Sequence, residues 1–261
     1  MDIIFWLPDS YPVLLRPSLL GILGWIFLFC LVIWAAWSWR HFQAAWQGKV
    51  WGIFVTLLIL QVIFTLTPGF RLPVGAAPPL PNSPQELKGP ALMLLSALPW
   101  MLAGGLLGPL AAALLGAGAG LLRFLWDTHS VFTPLELALL GTLFSLAVRQ
   151  RYRTRLFRVL GEPVMAALAL AILFIPIYIF DAFLVVSDPN LAVRLDYAIS
   201  SAPNAILAVV AELLVGGIFA QVLALSFPAA WGRRLPLQPS PTERSLEARF
   251  LFGSGTLIIV L

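Results

Sequence analysis

The chain has 261 residues, of which 60% are hydrophobic before its 20 glycines are counted, only 11% are charged, and the formal net charge is +4. Soluble domains are about a quarter charged, so these few charges cannot coat so much apolar side chain, and an ordinary water-soluble enzyme is excluded. A disordered chain is excluded too, because disorder needs low hydrophobicity and high net charge. The expectation is an all-α, polytopic membrane helix bundle, with about seven helices plus a truncated eighth and its N-terminus outside.

In chain order, Pro17 to Trp39 carries no charge and is long enough to cross a hydrocarbon core of about 30 Å. It lacks the basic start of a signal peptide and instead follows Asp2 and Asp9, so it reads as an uncleaved first span. A second span covers residues 50–70. No charge then appears from Gly89 to Leu122, which as one helix would run about 51 Å and overshoot the bilayer. Pro99, Gly104, Gly105, Gly108 and Pro109 supply a break, predicting short helices over 90–104 and 107–123. A fifth helix over 134–148 is short for a crossing and fits a thin or protein-lined region. Longer helices follow over 162–186 and 204–227.

The final apolar run, 250–261, is too short to span and would bury a terminal carboxylate, so a longer parent protein cut inside its eighth span is expected. The chain thus divides into two N-terminal spans with their outer loop (1–88), a glycine-rich membrane core (89–230), a cytoplasmic basic linker helix (231–249) and the start of a further span (250–261).

Orientation follows from the basic residues. The loops at 39–49, 149–159 and 231–249 hold most of the Lys and Arg, including Arg149, Arg151, Arg153, Arg155, Arg158, Arg233 and Arg234. These act as topology anchors and place those loops inside. Trp37, Trp39, Trp46, Trp51 and Trp231 would then form an aromatic belt at the inner boundary. Capping-box patterns occur at Ser83-Pro84-Gln85-Glu86, Thr133-Pro134-Leu135-Glu136 and Ser240-Pro241-Thr242-Glu243, each marking a helix start.

Candidate ligand-binding residues are ionisable or aromatic groups placed deep or in mixed polar loops. Glu212 falls about 12 Å below the outer end of the seventh helix by helical rise, where an ionisable group marks a functional pathway unless it only bonds a neighbouring helix. Asp181 could face the same cavity or merely reach the headgroups. The loop "RFLWDTHSVFTP" gathers Arg123, Trp126, Asp127 and His129, either a concave site or a solvated turn. Glu136 is better explained by its capping box. Ala112, Gly116 and Gly120, like Gly104 with Gly108 and Gly216 with Ala220, form stripes that let helices approach closely in lipid.

One cysteine, Cys30, and two distant histidines, His41 and His129, predict no metal site and no cofactor. No serine has a paired histidine and no phosphate loop occurs, so catalysis is not expected. The lipid bilayer and a small ligand are the expected partners. Nucleic acid is not among them, since the arginine run is better read as an anionic-lipid contact.

From Pro90 to about Arg158, the chain joins Gly108-Pro109 to a small-residue helix through Gly116 and Gly120, an exposed turn, and a short helix ending in a basic loop. This arrangement resembles the membrane sensor region of LytS-type bacterial signalling receptors, a five-helix receptor domain. It is similar also to the substrate-binding membrane subunits of energy-coupling-factor transporters. The first resemblance implies an input region in the bacterial plasma membrane, C-terminal signalling domains in the same chain, and leaves a homodimer open. The second implies a vitamin-type transporter subunit, but those end soon after about six helices, whereas here two helices precede the core and "PLQPSPTERSLEAR" leads onward. A structural membrane scaffold is the third reading.

Overall fold

The computed structural model describes residues 2–8, 17–40, 43–44, 46–73, 89–186, 190–231 and 237–240. Among them are eight α-helices: α1 (Leu19–Ser38), α2 (Gly48–Leu66), α3 (Leu98–Leu106), α4 (Pro109–Arg123), α5 (Thr133–Arg149), α6 (Arg155–Leu160), α7 (Pro163–Val185) and α8 (Leu191–Ser226). A π-helical turn, Phe124–Thr128, continues α4. Five segments are long and apolar enough to cross a membrane: α1, α2, α4 with its π turn, α7 and α8. Their outer faces carry side chains such as Phe27, Trp34, Ile59, Ile172, Phe219 and Leu225, all exposed, which water would penalise and lipid would not.

Local chemistry sets the helix ends. Ser18 Oγ accepts from the Gly21 amide at 3.1 Å and caps α1, and Asn190 Oδ1 accepts from the Ala192 amide at 2.9 Å at the start of α8. The predicted break between the third and fourth helices is made by Gly108, whose φ of 120° suits glycine alone, followed by Pro109 at the first position of α4. Proline likewise opens α7 at Pro163.

Two hairpins dominate the packing, α4 on α5 and α7 on α8. Gly116 faces the Leu137 carbonyl, and a Cβ on Gly141 would sit 2.6 Å from the Ala112 carbonyl oxygen, so the α4 stripe of small residues brings the α4 and α5 backbones together. Gly216 and Gly217 of α8 meet α3 and α7 in the same way. Helix α5 is enclosed by α1, α3, α4 and α7 and is buried along most of its length, which explains why a short helix suffices there. Its polar groups are satisfied internally, with Thr142 donating to the Ala138 carbonyl and Ser145 to the Gly104 carbonyl.

Several expectations need correction. The third helix begins at Leu98 rather than 90, because Ala91–Leu92 pair as a strand instead. Strands β1 (Asp2–Ile4), β2 (Gly69–Arg71) and β3 (Ala91–Leu92) form an antiparallel sheet in the order β1-β2-β3, with Asp2 opposite Arg71 and Arg71 opposite Ala91. The seventh predicted helix is α8 and starts at Leu191, thirteen residues early by comparison with 204. It runs through Pro203, which is exposed and lacks the amide that would continue the backbone ladder. Helix α6, six residues long, was not anticipated within the basic loop. Thr133 is not an N-cap: Phe132 holds that position, no side chain caps it, and the Thr133 hydroxyl bonds that of Thr128 at 2.7 Å. Trp231 is not in a lipid-facing belt but is buried against Gly105. The truncated eighth span, the boxes at 83–86 and 241–243, and Arg233 and Arg234 lie outside the described residues.

A buried charge network as candidate functional site

The last turn of α4 delivers Arg123 to the sheet end of the bundle, where its guanidinium is 3% exposed. A bare cation in such surroundings is costly, so every nitrogen must find an acceptor. Arg123 Nη1 donates to Glu212 Oε2 at 2.7 Å, Nη2 donates to the Ala91 carbonyl at 2.7 Å and to Asp127 Oδ2 at 3.0 Å, and Nε donates to the same oxygen at 3.3 Å. The π turn after α4 sets Asp127 four residues on from Arg123, within reach.

The acids are equally engaged. Asp127 Oδ1 accepts from Arg71 Nη1 at 3.0 Å and from the Ala91 amide at 2.9 Å. Glu212 Oε1 accepts from the Met93 amide at 2.7 Å. Arg71 also donates to the Gly89 carbonyl at 3.2 Å. Among the described residues, two guanidinium groups and two carboxylates form a network of balanced charge that joins α4, α8, β2 and β3. Such pairs are stable when geometry and hydrogen bonding are complete, and removing one member strands the others.

A second polar contact lies nearby. Glu136, in the first turn of α5, comes within hydrogen-bond reach of Asp181 of α7; both residues are buried, and no donor group meets Asp181 Oδ2. Tyr178, one turn before Asp181, donates to Ser201 Oγ of α8 at 3.3 Å. Among the described residues no group of three His, Cys, Asp or Glu is placed to hold a metal ion.

Of the residues singled out from the sequence, Arg123, Asp127 and Glu212 come together in one network. Trp126 packs with Ile4, Leu7, Leu66, Ala91 and Met93 in a small apolar cluster under the sheet. His129 closes the π turn in the left-handed region, φ 53°, in contact with neighbours. Asp181 meets Glu136 rather than Glu212, because α7 presents it to α5. Glu212 lies 21 residues into α8, about 32 Å from its start, since that helix begins earlier than expected. Missing from the sequence reading were Arg71, whose role depends on strand pairing, and Glu136, set aside as a cap.

At the opposite end, Arg149 donates to the Gly105 carbonyl at 2.9 Å and Arg151 to that of Trp231. Arg153, Arg155 and Arg158 are exposed. The segment 237–240 docks on this loop: the Gln238 amide donates to the Arg151 carbonyl, the Arg153 amide to the Gln238 carbonyl, and the Thr154 and Ser240 hydroxyls pair at 2.7 Å. No family model, curated protein or solved structure matches the chain.

Proposed function

We propose that this chain is the non-catalytic, membrane-embedded input region of a bacterial signal-transduction protein of the inner membrane, with output domains following in the same polypeptide. The observation that carries this reading is the course of α5. It starts beside the charge network, at Glu136, runs enclosed through the bundle, and ends at Arg149, next to the loop on which residues 237–240 are docked. A stimulus that alters the network would displace a helix whose far end leads into the loop holding residues 237–240, and signalling requires two such arrangements.

A solute-binding transporter subunit would need polar groups left free to meet solute. Arg123, Asp127 and Glu212 are instead taken up by one another and by backbone groups. Residues 90–158 resemble both LytS-type sensor regions and transporter subunits, and the two helices ahead of them, α1 and α2, depart from the transporter pattern and favour the sensor reading.

The test is to fuse the chain, through its C-terminal side, to a histidine-kinase reporter in bacterial cells. Glu212→Gln and Asp127→Asn are each expected to shift basal output several-fold at equal membrane abundance. Unchanged output in both variants would remove the signalling reading.

A further inference from the structure

A hydrogen bond between two carboxyl side chains contains a proton by necessity, since two carboxylates offer only acceptors. Glu136 and Asp181 lie within hydrogen-bond reach of each other across the α5–α7 interface, with Asp181 3% exposed and Glu136 7% exposed. Asp181 Oδ2 is buried and has no amide or hydroxyl donor within reach, so the Glu136 carboxyl is what remains to supply one.

Among the described residues no cation other than Arg123 acts on the pair. Arg123 of α4 is the nearest positive group whose charge reaches Glu136, and it is already committed to Glu212 and Asp127. Arg71 is committed to Asp127. The other titratable groups at this end are Tyr178 on α7, Asp127 on the π turn, and Glu212, Tyr197 and the buried Arg194 on α8; Arg194 is held by contacts of its own and does not act on either acid. With the four-membered network neutral, a doubly ionised Glu136–Asp181 pair would stand uncompensated in an apolar interior.

We propose that Glu136 and Asp181 form a buried proton-binding site that joins the α4–α5 hairpin to the α7–α8 hairpin while one proton is shared between them. Loss of the proton leaves two negative groups face to face and drives α5 away from α7. The occupant is a proton rather than a metal ion, because among the described residues no third acidic or imidazole ligand joins the two carboxyls to complete a coordination shell. This site stands independently of any signalling role.

The experiment is infrared difference spectroscopy of the full chain in phosphatidylcholine vesicles, titrated from mildly acidic to alkaline pH. The expected result is a protonated-carboxyl carbonyl band near neutral pH that disappears at alkaline pH and is missing from both Glu136→Gln and Asp181→Asn. In each variant the amide donates to the remaining carboxylate and keeps the hairpins joined. A band that survives in both variants, or none in the folded wild-type chain near neutral pH, overturns the site. So does displacement of the band by sodium or calcium at fixed pH, which would make the occupant a metal.

A second readout is the folding equilibrium in mixed detergent. Because the folded pair keeps a proton that the unfolded carboxyls release, stability falls as pH rises, about tenfold in the equilibrium constant per pH unit for one proton, until the folded pair itself deprotonates. Asp181→Asn is expected to flatten that slope. The same slope in the double variant Glu136→Gln/Asp181→Asn overturns the assignment.

Discussion

Two polar links tie the α4–α5 hairpin to the α7–α8 hairpin, and they are built on opposite principles. Arg123–Glu212 is a complete ion pair with every oxygen engaged, so its partners need nothing from solvent. Glu136–Asp181 joins like to like and holds only with a proton between its members. The first link needs no shared proton, and the second does. A bundle fastened in this way has a fixed point and a releasable one at the same end, which suits a rearrangement that pivots without unfolding.

The contrast is broken most severely at its fixed point. Arg123→Gln leaves the Glu212 and Asp127 carboxylates without their cation, and a loss of about 3–5 kcal/mol is expected for stripping one partner from a buried pair. Unfolding in mixed detergent micelles would register it, and a loss under about 1 kcal/mol would mean that water already reaches the network. Next is Gly116→Val, which drives a side chain into the Leu137 carbonyl and forces α4 off α5. Overpacking of that kind costs about 1–3 kcal/mol, read in the same assay.

Asp127→Asn should come third. Its amide oxygen can still accept from Arg71 or the Ala91 amide, but the charge is lost, for about 1–3 kcal/mol. Salt does not screen so buried a site, so the loss is expected to be equal at low and high ionic strength. Glu136→Gln sharpens the comparison because it should be nearly silent near neutral pH, within about 1 kcal/mol, the amide hydrogen replacing the shared proton. Thermal unfolding at neutral pH checks this, and a cost matching that of Arg123→Gln would place both links in one class. Smallest is Arg155→Gln on the exposed face of α6, expected within about 0.5 kcal/mol of wild type in the same unfolding assay.

Most of the bundle is legible in the amino-acid sequence because lipid imposes long apolar runs and glycine or proline marks their breaks. Gly108-Pro109 announces the turn between α3 and α4, and Pro134 and Pro163 fall at the first turns of α5 and α7. The two-residue strand Ala91–Leu92 has no period to detect, and it follows from pairing with Gly69–Arg71. The polar stretch before Pro203 resembles a loop until it is seen packed on α7.

The site was legible only in part. Depth made Glu212 conspicuous, but its partner Arg123 lies 89 residues away, and no local spacing connects them. Glu136 was hidden by Thr133-Pro134, which imitates a capping box. The deciding fact, that α5 turns this glutamate inward toward α7, belongs to tertiary packing.

Pro203 interrupts the 36-residue α8 without ending it, and its missing amide deletes one rung of the backbone ladder. Just beyond, Asn204 Nδ2 fastens to the Pro73 carbonyl at 2.8 Å, while Ser201, just before, meets Tyr178. The missing rung thus falls between two moorings of unlike kind, a hydroxyl that ties the rod to α7 and an amide that ties it to the chain after β2. The shaft beyond also rests on α7 at Gly217 while it carries Glu212 to the strands.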